Sequence, residues 1–179
     1  MTIAATRAAT ISAAIRDIPD FPKPGILFKD IAPLLETPAA FRAAIDGLAE
    51  RYASARLDRI VGLESRGFPF GGALADRLGV GFAMARKPGK LPYRKVSVEY
   101  ALEYGTDRIE MHVDAVKPGQ RVLIVDDLLA TGGTAAAAIR LVQGELGGEI
   151  VACAFVVELA FLGGRGRLEP TPVFSLVTY

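Results

Sequence analysis

The sequence predicts an α/β fold with a mostly parallel central sheet flanked by helices. Two observations predict it. From Arg59 onward, apolar runs of strand length alternate with segments of helical period. Such alternation is the pattern of a parallel sheet whose crossover helices cover both faces. The chain also has 179 residues, 51% of them hydrophobic. That is enough to bury a substantial core within one domain spanning residues 1–179.

Taken from the N-terminus, Ile11, Ile15 and Ile18 recur at helical spacing with Ser12 and Arg16 between them. They predict an amphipathic helix over residues ~10–18. PDFPKPG (Pro19–Gly25) ends it, because proline cannot continue a helix and restricts the residue before it. Pro38 opens a second helix, PAAFRAAIDGLAERYAS, with Thr37 placed to cap it. RIVGLE is then a buried strand, FPFGGALADRLG a helix and GFAMAR a strand. RVLIVD and TAAAAIRLVQGELGG are again strand and helix, and EIVACAFVVEL and VFSLVTY are strands. Between them Lys87–Tyr104, KPGKLPYRKVSVEYALEY, fits neither period and reads as either a long hairpin or a flexible loop. A loop of that length usually has a function or is disordered.

The formal net charge is +1, which gives no support for a nucleic-acid or membrane-surface partner. Cys153 is the only cysteine, so no disulfide forms within the chain and a cytoplasmic setting is favoured. Arg7 and Arg16 interrupt the N-terminal stretch, so no signal peptide is read there. No window approaches the ~18 uninterrupted apolar residues of a membrane span. The single His112 has no visible acid or cysteine partner for a metal site, and Cys153 reads as a buried strand residue.

The stretch Val122–Thr134, VLIVDDLLATGGT, holds the strongest signal. Ligands of open α/β sheets bind beyond the carboxyl ends of the strands. Asp126 and Asp127 therefore sit at that rim, and the turn Ala130–Thr134 faces the same crevice. Gly132 and Gly133 allow a tight turn that aims several N–H groups at one point. Thr131 and Thr134 add hydroxyl donors, and the helix that follows adds a partial positive charge. The result suits one phosphate monoester. It is not a Walker A loop, since no lysine lies between Arg121 and Arg140, and it does not match GxGxxG. A ribose 5-phosphate fits, with its phosphate in the turn and its hydroxyls donating to the two carboxylates.

This stretch resembles the 5-phosphoribosyl 1-diphosphate (PRPP) binding motif of the type I phosphoribosyltransferases. FPKPGILFKDIAPLL, GLESRGFPFG, RKPGKLP and YALEYG are similar, in this order and spacing, to the adenine-specific branch of that family over nearly the whole chain. The resemblance implies transfer of a phosphoribosyl group to adenine, giving AMP and pyrophosphate. It also implies Mg²⁺ as cofactor, a homodimer, residues 1–36 as an N-terminal hood over the base, and 87–104 as a flexible lid.

Ser65 and Arg66 follow the strand RIVGLE and reach the crevice from a neighbouring strand. A rim arginine suits pyrophosphate because its planar fork binds two oxygens at once. Standing alone, ESRG reads as a surface ion pair between Arg66 and Glu64. Five of the ten residues from Arg86 to Lys95 are basic and none is acidic. Such a run is by default a solvated face, but beside a polyanionic ligand Arg86, Lys87 and Lys90 are placed to approach a diphosphate. The resemblance makes Lys87 the direct contact. It also implies that Phe28 stacks on the purine while the backbone of Leu27 and Lys29 hydrogen-bonds it. Glu103 would handle the purine proton, and Tyr104 either closes over the substrates or packs. Two other functions stay open: transfer to guanine, hypoxanthine or xanthine, and a PRPP-sensing regulator without catalysis.

Overall fold

The first helix ends sooner than the isoleucine spacing suggests. In the computed structural model, which describes residues 3–101 and 106–179, α1 spans Ile3–Ala13 and buries Ile11 completely. A short strand β1 (Arg16–Pro19) follows and pairs antiparallel with β2 (Leu27–Asp30). The register sets opposite charges face to face, Arg16 on Asp30 and Lys29 on Asp17, each at 2.6 Å. Residues 16–18 are therefore strand, not helix. A spacing of three and four fits a helix locally, and only the cross-strand partners decide otherwise.

The rest follows in order. The helices α2 (Ala32–Glu36) and α3 (Pro38–Tyr52) lead to β3 (Arg59–Leu63), α4 (Gly67–Leu78) and β4 (Gly81–Ala85). Pro38 stands in the first turn of α3 and Thr37 at its N-cap position, without a side-chain capping bond. The ambiguous interval contributes β5 (Lys95–Ala101), an arm of an antiparallel hairpin with β6 (Thr106–His112). Next come β7 (Arg121–Leu129), α5 (Gly133–Arg140) with a π-helical turn Leu141–Glu145, β8 (Glu149–Glu158), two 3₁₀ turns, and β9 (Val173–Thr178).

The five-stranded sheet runs β4-β3-β7-β8-β9, every neighbour parallel. The side chains of β7 alternate between its faces, as a strand requires. Leu123 and Val125 join Ile11, Leu48, Phe70 and Leu74 of α1, α3 and α4. Val122 and Ile124 join Ala138 of α5 and Ile109 and Met111 of the hairpin. The chain leaves β3 outward to β4, then returns across β3 to build β7, β8 and β9. The order thus reverses between β3 and β7, where open α/β sheets open a ligand crevice. Among the described residues no helix is long and apolar enough to cross a membrane.

Candidate active site

Two loops meet at the switch point. The pairing of β3 with β7 ends at Gly62 and Val125, while β7 continues beside β8 as far as Leu129. Asp126 and Asp127 are thus the first residues of β7 without β3 beside them. They lie on the strand's last stretch, which runs three residues past the end of the RVLIVD strand predicted from sequence.

Asp127 is buried, and the Nε of Arg66 donates to its carboxylate at 2.6 Å. Arg66 belongs to the loop after β3. Its ion pair is therefore with Asp127 across the crevice. The N–H of Asp127 donates to Oδ1 of Asp126 at 2.9 Å. Burial, then the charge of Asp127, pushes the Asp126 carboxyl well above its ordinary range. Gly67 opens α4 in close contact with this strand end: a Cβ there would stand 2.7 Å from the carbonyl oxygen of Val125 and 2.9 Å from Asp126 Oδ1.

The turn Ala130–Thr134 and the first residue beyond it line a small cavity of ≈ 90 Å³, together with Asp126, Leu128, Leu129 and Phe155. Gly132 takes a left-handed conformation, φ 79°, at the N-cap of α5, one that side chains rarely adopt. A Cβ on it would lie 2.6 Å from the carbonyl oxygen of Gly164. The 3₁₀ turn Gly164–Leu168 thus backs the phosphate-loop candidate. That turn is fixed by a buried carboxylate: Glu158 accepts from Arg165 through both oxygens and from the Ser175 hydroxyl at 2.7 Å. Arg165 above all holds Glu158 below its ordinary range. Neither Gly164 nor the Glu158 pair had a role assigned from sequence, because the two chain segments are thirty residues apart and only folding brings them together.

On the other side of the crevice Glu64 ties two loops. It accepts from Arg86 at 3.2–3.3 Å and from the backbone N–H of Lys87 at 2.8 Å. Burial raises its carboxyl, but these donors more than offset that and leave it lowered. Arg86 also donates to the Lys90 carbonyl at 3.2 Å, so its guanidinium braces the loop. Ser65 and Lys90 are exposed. The Lys87 ammonium contacts Asp107 and the Tyr100 hydroxyl, the latter at 3.2 Å. Tyr100 and Asp107 face each other across the hairpin. Tyr100 opens the YALEYG motif but had no role assigned from sequence, and nothing in the local pattern marks Asp107.

The hood residues Leu27, Phe28 and Lys29 all lie on β2. Phe28 is half-buried, with Phe21 edge-on to its ring at 5.1 Å. The Lys29 ammonium pairs with Asp17 and lies over the Tyr179 ring, 3.9 Å from the centroid. The backbone N–H of Ala32 above all, then Arg16, holds the Asp30 carboxyl at the end of β2 below its ordinary range. Glu103 and Tyr104 lie outside the described residues. His112 packs edge-on to Tyr93 at 5.9 Å, and burial pushes the Cys153 thiol up to about 12. Among the described residues no three His, Cys, Asp or Glu side chains cluster as a metal site would need.

A parallel sheet whose switch point carries an acid pair, a glycine turn and a basic loop is the arrangement expected of a phosphoribosyltransferase domain. Residues 31–174 match the family model described as the phosphoribosyl transferase domain, and the chain belongs to that family. It is 56% identical over 175 residues to the adenine phosphoribosyltransferase of a Methylobacterium species, covering 95% of this chain and 96% of that protein. The crystal structure of the Rhodothermus marinus adenine phosphoribosyltransferase superposes with a TM-score of 0.91 at 53% identity, covering 98% of this chain and 99% of that one. The Saccharomyces cerevisiae adenine phosphoribosyltransferase, solved with adenine and an imino-altritol bisphosphate, superposes at 0.90 with 45% identity, over 96% of this chain and 99% of that one. Within the family the chain belongs to the adenine phosphoribosyltransferases, which form AMP and pyrophosphate from adenine and PRPP.

Proposed function

We propose that the crevice between β3 and β7 performs this transfer with the following division of roles. The 5-phosphate enters the turn Ala130–Thr134, held by backbone N–H groups, the two threonine hydroxyls and the N-terminus of α5. The ribose hydroxyls donate to Asp126 and Asp127. Asp127 exchanges Arg66 for a hydroxyl, and the freed guanidinium turns to the diphosphate beside Ser65, Lys87 and Lys90. The Arg66–Asp127 pair is the observation that carries this reading, because it joins the diphosphate loop to the ribose loop across one crevice.

Adenine enters under β2, stacked on Phe28 with the backbone of Leu27 and Lys29 as partners. Glu103, on the strength of the resemblance, exchanges the purine proton as N9 attacks C1′ and the C1′–O bond to the diphosphate breaks. Alignment of N9 with C1′ and exclusion of water supply the remaining catalysis. The donor set suits Mg²⁺ held chiefly through substrate oxygens, since Asp127 is paired and Asp126 is held toward its neutral form. The ion, when bound, would neutralise charge on the departing diphosphate. A homodimer and a cytoplasmic setting, implied by the resemblance and the cysteine usage, belong to the same proposal.

The test is a product assay with PRPP, Mg²⁺ and each purine in turn. AMP from adenine, with little or no nucleotide from guanine, hypoxanthine or xanthine, is the expected result. Comparable yields from a 6-oxopurine would overturn the adenine assignment. Tight PRPP binding without any product would favour the regulator.

A further inference from the structure

We propose that Tyr100 and Asp107 are positioning residues that hold Lys87 for the diphosphate end of PRPP and connect it to the 5-phosphate end. The proposal rests on the diphosphate role of Lys87 given above. The Lys87 ammonium donates to the Asp107 carboxylate and to the Tyr100 hydroxyl at 3.2 Å. The same hydroxyl donates to Asp107 at 3.1 Å and lies 3.2 Å from Thr134 Oγ1. Three stretches of the chain, the loop after β4, the β5–β6 hairpin and the start of α5, thus converge on one phenolic oxygen.

The geometry has a functional consequence. An ammonium has three donors; two are occupied here, which leaves one for an incoming anion. A free lysine loses rotamer freedom when it grips a ligand, whereas one already held loses less. The network is also placed where a ligand would meet it. Tyr100 is 6% exposed, but the side chains of Lys87 and Asp107 stay 42% and 23% exposed, so the ion pair sits at the rim of the crevice. Thr134 belongs to the phosphate turn. One hydroxyl therefore bridges the groups assigned to the two charged ends of a single substrate.

The test uses Tyr100→Phe, which keeps the ring and removes the hydroxyl, and Asp107→Asn, which keeps the shape and removes the charge. Binding of PRPP with Mg²⁺ and of AMP is measured by calorimetry, alongside kcat and the KM for each substrate. AMP has the 5-phosphate but no diphosphate. PRPP affinity should fall about tenfold in each variant. AMP affinity should stay within about twofold of wild type in Asp107→Asn, which leaves the Tyr100–Thr134 contact in place, and should fall by less than that of PRPP in Tyr100→Phe, which removes both contacts. The KM for PRPP should rise with that for adenine unchanged. In a Lys87→Ala background, Asp107→Asn should add nothing, since both act through one group. Equal losses for PRPP and AMP would overturn the proposal by making the network a scaffold of the phosphate turn. So would unchanged PRPP affinity, or additive losses in the double variant. A wild-type chain that fails to bind PRPP would instead overturn the transferase reading beneath it.

Discussion

Asp126 and Asp127 share a strand end but not an environment. Burial and its neighbour's charge hold Asp126 toward its neutral form, whereas Asp127 meets Arg66 at 2.6 Å. An amide mimics a neutral carboxyl better than an ionised one, so the two Asn variants should differ. Asp127→Asn should weaken PRPP by about 1.5–3 kcal/mol, the usual cost of a lost charge-assisted hydrogen bond, and Asp126→Asn by less. Calorimetry on both checks this, and equal affinities in wild type and both variants would remove the pair from the ribose site. Glu103 is argued at the same scale. Glu103→Gln keeps size and hydrogen bonding but cannot exchange a proton in the same way, so kcat should fall roughly 10²–10⁴-fold with PRPP affinity nearly unchanged. Single-turnover rates on the variant decide it; a loss confined to PRPP binding would move Glu103 to the diphosphate end.

At the scale of elements, the phosphate turn is shaped by another piece of chain. Gly132 is left-handed and faces the Gly164 carbonyl, so Gly132→Val crowds the turn twice, through its own backbone and through its neighbour. AMP should then no longer raise the melting temperature, while the unliganded fold persists. At a hundred times its Kd, AMP stabilises the wild-type chain by about 2.7 kcal/mol, a shift easily measured. An undiminished AMP shift in Gly132→Val would place the phosphate elsewhere. The hairpin gives a second prediction. Residues 87–101 are tied to the phosphate turn through Tyr100, so their amide exchange should slow when PRPP and an adenine analogue are both bound. Equal exchange with and without ligands would leave that stretch a static hairpin.

For the molecule as a whole, Glu158 joins the sheet edge to the turn behind the phosphate site. Its carboxyl is lowered in the folded state, chiefly by Arg165. A lowered carboxyl contributes stability that is present above the unfolded value, about 4.3, and is lost as pH falls through the lower folded value. The melting temperature of wild type should therefore exceed that of Glu158→Gln at pH 7, and the gap should shrink steadily below about pH 4.3. A gap independent of pH would mean that packing, and not the ionised pair, holds the turn.

What the sequence determined by itself is local or periodic. Whole-length apolar runs such as Val122–Val125 define strands buried on both faces, and the glycines of Ala130–Thr134 define a tight turn at the start of a helix. Both follow from neighbours in the chain. Tertiary structure alone decided whatever depends on partners distant in sequence. The opposite charges of β2 turned residues 16–18 from helix to strand. Arg66, beside Glu64 in sequence, pairs with Asp127 across the switch point. Arg86 braces Glu64, and Tyr100 and Asp107 meet Lys87 through a hairpin that no period in the sequence marked. A hydrogen bond or ion pair needs its two groups within about 3 Å, and for groups 12 to 61 residues apart only the folded chain brings them that close.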